Sequence, residues 1–255
     1  MISLYRLKGR ALQIDNSLIM TLSFFTGCFL IFSVNFLPSL YERFLSPVFE
    51  AEAFSYVIDF SFSVFFLLIL FGAYSSVRLG TKRYLFRKAV KKKPRAKDIF
   101  FYFSPKNFFM AFFYSLRITL IKLLIFIFCL FPSAVCFFMM ERFSRQGVSA
   151  LVCISLAVTA LCLCVNGGVF YSLFNSSFFL CDYYFIDGAY VSFRHIVSLS
   201  QRYMKGKNTL LTRMKLSFAG WFVLCFLILP VAYVWSYYNQ SLAVAAAEFM
   251  KEKKV

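Results

Sequence analysis

The sequence predicts an all-α fold, a polytopic helical membrane protein with about five transmembrane helices, six being the alternative, plus interfacial amphipathic helices. Three observations predict it. The chain is 61% hydrophobic, with 37 Phe among 255 residues and a mean hydropathy of +0.73, more apolar side chain than one water-soluble core of this size can bury. The apolar residues gather in runs of the roughly 20 residues that a helix needs to cross a bilayer. The charges gather between those runs: the stretch from Arg78 to Lys106 carries eleven of the 28 Lys and Arg residues, with Asp98 its only acid.

So basic a segment stays in the cytoplasm, and the sides of the other loops are counted from it. The net charge of +17 is better explained by anionic lipid head groups, worth about 1 kcal/mol per Lys or Arg near the surface, than by nucleic acid. The lipid bilayer and its anionic head groups are therefore the expected partners, and a membrane or cytoplasmic protein partner is left open. The expected location is the bacterial cell membrane, with the N-terminus cytoplasmic.

Arg6, Lys8 and Arg10 precede the first apolar run, 18–37. That run exceeds the roughly 7 to 15 residues of a signal-peptide core and ends at Pro38, so it reads as an uncleaved first span. Phe25-Thr26-Gly27-Cys28 only faintly resembles a lipoprotein cleavage box, with Phe25 at a position where that box needs a different residue. Glu42, Glu50 and Glu52 against Arg43 then place the next loop outside. A second span, 55–77, returns the chain to the cytoplasm with Asp59 near its outer end and Tyr74 near its inner one.

The basic segment 78–107 follows. Leu79, Leu85, Phe86, Ala89 and Val90 share one side of a helix, leaving the other to Lys82, Arg83, Arg87 and Lys88, an arrangement suited to the head-group region. Pro94 is expected to stop that helix. With Lys91, Lys92 and Lys93, these four basic residues form the candidate lipid- or partner-binding set; a solvated basic loop is the plainer reading.

The run Phe108–Met140 is longer than one perpendicular span and holds Arg117 and Lys122 in its first half. If residues 107–116 lie along the interface and the span is 118–140, both charges snorkel to the inner surface. Pro132 falls late in the span, where neighbouring helices accommodate a kink. The next run, 148–186, is interrupted by Asn166-Gly167-Gly168. Two helices joined there would put the segment 188–215 outside, whereas one long or broken helix would put it inside. Because that segment holds Arg194, Arg202, Lys205, Lys207, Arg213 and Lys215 with no acid among them, charge bias favours one crossing.

Residues 190–204 carry the pattern of an amphipathic helix, with Phe193, Ile196, Val197, Tyr203 and Met204 grouped apart from Arg194, Ser198, Gln201 and Arg202. Gly206 supplies a left-handed stop after it. A last span, 216–235, has Trp221, Trp235, Tyr233, Tyr237 and Tyr238 near its ends, where aromatic rings favour the head-group boundary. The tail from Ala243 is a good helix former.

These segments together resemble a known family. Ile186-Asp187-Gly188, an amphipathic run closing on Met204-Lys205-Gly206-Lys207-Asn208, and then Leu216-Ser217-Phe218-Ala219-Gly220-Trp221 resemble, in order and spacing, the bacterial integral membrane proteins grouped as domain of unknown function 975. Leu7-Lys8-Gly9, Leu79-Gly80, Asp98 to Phe103 and Leu130-Phe131-Pro132-Ser133 add to the likeness. A longer stretch than is usual in that family separates Pro132 from Asp187. The resemblance implies a helical membrane fold and supplies no activity to carry over.

The eight cysteines, Cys28, Cys129, Cys136, Cys153, Cys162, Cys164, Cys181 and Cys225, lie in apolar runs without a CxxC pair, and His195 is the only histidine. No metal or cofactor is expected, and the cysteines read as packing residues. The sequence lacks GxSxG, HExxH and GxGD signatures, so an enzyme is not expected, and His195 reads as an ordinary surface residue. A small-solute or proton-coupled transporter would draw on Asp59, Arg117, Lys122 and Asp182. A charge unpaired at a helix centre costs about 2.5 to 3.5 kcal/mol, so Asp182 is expected to pair with Arg117 or Lys122. The spans hold few polar residues with which to line a path, and the preferred reading is a non-catalytic membrane adaptor or lipid-associated scaffold.

Overall fold

The computed structural model describes residues 2–13, 52–90, 94–188, 192–224 and 231–251, and every regular element among them is helical. The expected first span, 18–37, and Lys91, Lys92 and Lys93 lie outside the described residues. The helices are α1 (Ile2–Gln13), α2 (Glu52–Ala89), α3 (Pro105–Arg145), α4 (Ala150–Ser177), α5 (Cys181–Ile186), α6 (Phe193–Met204), α7 (Asn208–Leu216), α8 (Ala219–Leu224) and α9 (Val231–Lys251). The chain divides into two compact units, one of Met1–Ser115, Asp182–Tyr190 and Phe218–Val255, the other of Leu116–Cys181 and Val191–Ser217.

In the first unit, the second apolar run and the start of the basic stretch form one 38-residue helix, α2. No proline interrupts it, and it stops at Ala89, five residues short of Pro94. Its basic end is two-sided, as its pattern requires: Leu79, Leu85 and Phe86 are buried, whereas Lys82, Arg83, Arg87 and Lys88 are partly exposed. Gly80 permits a backbone contact on that end, since a Cβ there would run into the carbonyl oxygen of Ile99.

Helices α1 and α9 pack against each other in the same unit. Gly9 faces Ser241, the run Ala243–Ala247 is buried, and Lys8 Nζ lies 2.5 Å from Glu248 Oε1. Tyr5 meets Phe249 edge to face. Phe218, fully buried, has the Arg6 guanidinium 4.7 Å from its ring centre and the rings of Tyr237 and Tyr238 at 5.1 and 5.3 Å.

Helix α3 begins in the first unit and continues into the second without interruption, through residues 107–116 and Pro132, for 41 residues, or about 60 Å at 1.5 Å per residue. That exceeds the roughly 30 Å of a bilayer's hydrocarbon layer, and no break separates residues 107–116 from the rest of the helix. In the second unit α4 also runs unbroken through Asn166-Gly167-Gly168. Asn166 Nδ2 donates to the Cys162 carbonyl one turn back, 3.0 Å away. Gly167 admits the carbonyl of Cys129 from α3, where a Cβ would collide. Ser133 Oγ donates to the carbonyl of the buried Ala160 at 2.9 Å, and Phe126 meets Tyr171 with ring centres 5.2 Å apart. Small residues allowing backbones this close are typical of helix pairs in membranes.

The amphipathic pattern of 190–204 becomes α6, which buries Ile196, Ser200 and Met204 at four-residue intervals and exposes Arg194, His195, Ser198, Gln201 and Arg202. Ser200 Oγ donates to the Ser177 carbonyl at 2.7 Å, and Asn208 Nδ2 donates to Ser177 Oγ at 2.8 Å. Gly206, at φ +81°, makes the turn into α7, a conformation that glycine adopts without steric cost.

Among the described residues, three stretches, Val64–Ala89, Pro105–Arg145 and Ala150–Ile186, are long and apolar enough to cross a membrane. Large apolar side chains stand exposed along the last two, among them Phe128 at 82% and Leu151 at 79%. Within the Asn-Gly-Gly triplet the two glycines differ, because a Cβ on Gly168 has nothing within 4 Å. Gly167→Ala is therefore expected to cost about 1–3 kcal/mol through overpacking, and Gly168→Ala to be neutral or to stabilise by up to about 1 kcal/mol through helix propensity. Thermal unfolding of the two variants in detergent reads the contrast.

Candidate functional site

The basic end of α2 offers its charges in two rows, because residues four apart share a helix face. Arg78, Lys82 and Phe86 form one row; Arg83 and Arg87, with Gly80, form the next. Each row meets one acid of the first unit, from a different part of the chain.

The first row meets Asp182, which is 4% exposed at the start of α5. Lys82 Nζ donates to Asp182 Oδ2 at 2.5 Å, and Tyr114 of α3 donates its hydroxyl to Oδ1 at 2.9 Å. Arg78 Nη2 stands 3.9 Å from Oδ2, an electrostatic contact beyond hydrogen-bond range. Aromatic rings enclose the group. Tyr114 stacks on Phe185 with centres 4.1 Å apart and planes within 11°; Tyr102 stacks on the same ring at 5.9 Å; and Phe86 leans on Tyr183 at 5.5 Å. The rings keep water away from the carboxylate, and the lysine and tyrosine donors offset the cost of burying it, where an unpaired charge is expensive.

The second row meets Asp98, the single acid of the basic stretch. Arg87 Nη1 donates to Asp98 Oδ1 at 2.6 Å, Arg83 Nε lies 3.9 Å from the same oxygen, and the Arg95 amide donates to Oδ2 at 3.0 Å. The Arg83 guanidinium also lies 3.6 Å from the centre of the Phe101 ring, a cation–π geometry. Burial raises the Asp98 pKa, but the Arg95 amide, the Arg87 hydrogen bond and charge, and the Arg83 charge outweigh it and hold the carboxyl below the usual aspartate value.

Of the predicted residues, the structure thus brings together Lys82 and Asp182, and it sets Arg83 and Arg87 on Asp98. The countercharge of Asp182 comes from the basic stretch, a source that the sequence reading did not consider. Arg117 lies in the second unit with its guanidinium 6.0 Å from the Phe193 ring. Lys122 is part-buried on α3, and Asp59 falls within α2. Sequence reasoning missed Arg78, Tyr114 and the role of Asp98. A signal was available for two of them: Arg78/Lys82 and Arg83/Arg87 are four-residue basic pairs, and Asp98 is the one acid nearby. Tyr114 had none, since nothing local ties it to Asp182. Among the described residues no group of three or more His, Cys, Asp or Glu side chains is arranged to hold a metal.

The fold and this site define an all-helical protein with apolar helices of membrane-crossing length and a basic helix end fastened by two acids. The chain belongs to the family described as "Protein of unknown function (DUF975)", whose model matches residues 6–245. No curated protein and no solved structure matches it.

The depressed Asp98 pKa ties part of the stability to pH. A carboxyl whose pKa is lower folded than unfolded contributes fully above its unfolded value, near 3.8, and loses that contribution as pH falls through the folded value. Acid titration of detergent-solubilised protein should show destabilisation below about pH 4, and Asp98→Asn should remove that component while lowering stability at neutral pH.

Proposed function

We propose that the protein is a non-catalytic, multi-pass protein of the cell membrane, a lipid-associated scaffold or adaptor whose exposed basic helices meet anionic head groups. The observation that carries this reading is the division of its basic residues into two sets. Lys82, Arg83 and Arg87 are engaged by acids of the chain itself. Arg194, Arg202, Lys205 and Arg213, on and between α6 and α7, are exposed, and no acid lies between residues 192 and 217. A helix pair of this kind, apolar toward its own unit and basic outward, suits a phosphate-rich surface.

The candidate lipid-binding set is thereby extended to the second basic segment, since three of its seven members, Lys82, Arg83 and Arg87, are engaged by acids of the chain itself. The same division favours a scaffold over a carrier. Asp182 is satisfied by a lysine and a tyrosine, so it braces the first unit, and a transported ion or proton would have to break those contacts.

Copurified lipid provides the test. Neutralising Arg194, Arg202, Lys205 and Arg213 to Gln removes four charges, each worth about 1 kcal/mol near an anionic surface. Extraction into polymer nanodiscs followed by lipid mass spectrometry should show the anionic share of retained lipid falling to that of the bulk membrane, with insertion unchanged. Undiminished anionic lipid around the quadruple variant would remove the support for this reading.

A further inference from the structure

We infer that the last apolar run, 216–235, does not cross the membrane: its two ends lie at one surface, so the number of crossings is even, four by hydropathy, and helices α1 and α9 lie on the same side. The inference rests on the membrane reading above and adds to it a topology.

A single helix from Phe218 to Tyr237 would separate the two residues by about 28 Å at 1.5 Å per residue, close to the thickness of the hydrocarbon layer. Their rings instead lie 5.1 Å apart, and Tyr238 is 5.3 Å from the same ring. The two ends of the run are therefore side by side. The guanidinium of Arg6, on the helix that precedes the first apolar run, lies 4.7 Å from the same Phe218 ring, which places that pair of ends with α1.

The last helix extends this agreement. Gly9 abuts Ser241, Tyr5 meets Phe249, and Lys8 pairs with Glu248, so α1 runs antiparallel along the second half of α9. Residues of α1 and α9 that pair in this way share one side, and between two points on one side the number of crossings is even. By hydropathy four runs supply that number: the apolar part of α2, α3 and α4, and 18–37, read from the sequence alone. The fifth run is the one whose ends meet.

Two further features agree. Trp221 and Trp235 are the only tryptophans of the chain and are exposed at 43% and 38%. Read on a crossing helix they would mark opposite interfaces. With the ends of their run together they mark one, and form a paired aromatic anchor at a single head-group layer. The main basic segments also follow the positive-inside rule, since Arg6 and Lys8, the stretch after Arg78, the segment from Arg194 to Lys215 and Lys251 then all fall on one side.

The test uses three forms of the full chain, each carrying one short epitope tag: before Met1, after Val255, or inserted at Gly147, where a side chain would have open space around it. Antibody access is compared in intact and permeabilised cells. The terminal tags should behave alike and the Gly147 tag oppositely. Opposite behaviour of the terminal tags means an odd number of crossings and overturns the inference, as does a Gly147 tag that follows them. A chain found in the soluble fraction overturns the membrane reading itself, a distinct result.

Discussion

The buried carboxylate of Asp182 is the constraint on which the first unit depends. A charge in an apolar setting costs several kcal/mol unless partners compensate it, and here the partners come from two helices: Lys82 on α2 and Tyr114 on α3. Their positions are dictated by the acid. The Tyr114 ring that donates to Asp182 is also the ring that stacks on Phe185, so a single tyrosine links the ionic contact to the aromatic packing around it. Asp98 does the same on the neighbouring row, joining Arg87 and the Arg95 amide. The basic end of α2 is thus held on two adjacent faces, and much of the charge that seems free in the sequence is internal structure.

Glycine supplies the second constraint. Gly80 and Gly167 each stand where another segment's carbonyl approaches too closely for a Cβ, and Gly206 turns the chain with a positive φ. Gly9 and Gly80 belong to the Leu7-Lys8-Gly9 and Leu79-Gly80 motifs that carried the family resemblance. The motifs therefore have a physical meaning: they mark where backbones touch, and they say nothing about a reacting group.

Much of this fold was legible in the sequence because it is written in local terms. Apolar runs, the amphipathic period of α6 and the turn at Gly206 all follow from neighbouring residues. Of the two arrangements considered for residues 148–186, two helices joined at Asn166-Gly167-Gly168 or one long or broken helix, the structure shows α4 unbroken through that triplet. What stayed hidden depends on long-range contact. The partner of Asp182 lies 100 positions away on α2, and nothing in the hydropathy of 216–235 tells a crossing helix from a run whose ends meet. The continuity of α2 past its apolar section was also hidden, because a change of composition resembles a boundary even where the backbone has no reason to stop.

Lys82 and Asp182 hold the first unit together as a pair, and exchanging their charges tests that pairing. Thermal unfolding in detergent of Lys82→Asp, Asp182→Lys and the double variant forms a mutant cycle whose coupling for a contacting pair is about 0.5–3 kcal/mol. Each single variant should be strongly destabilised, and the double variant should recover a substantial part of the loss. A double variant as unstable as the sum of the two single changes would mean that the pair does not hold the unit together.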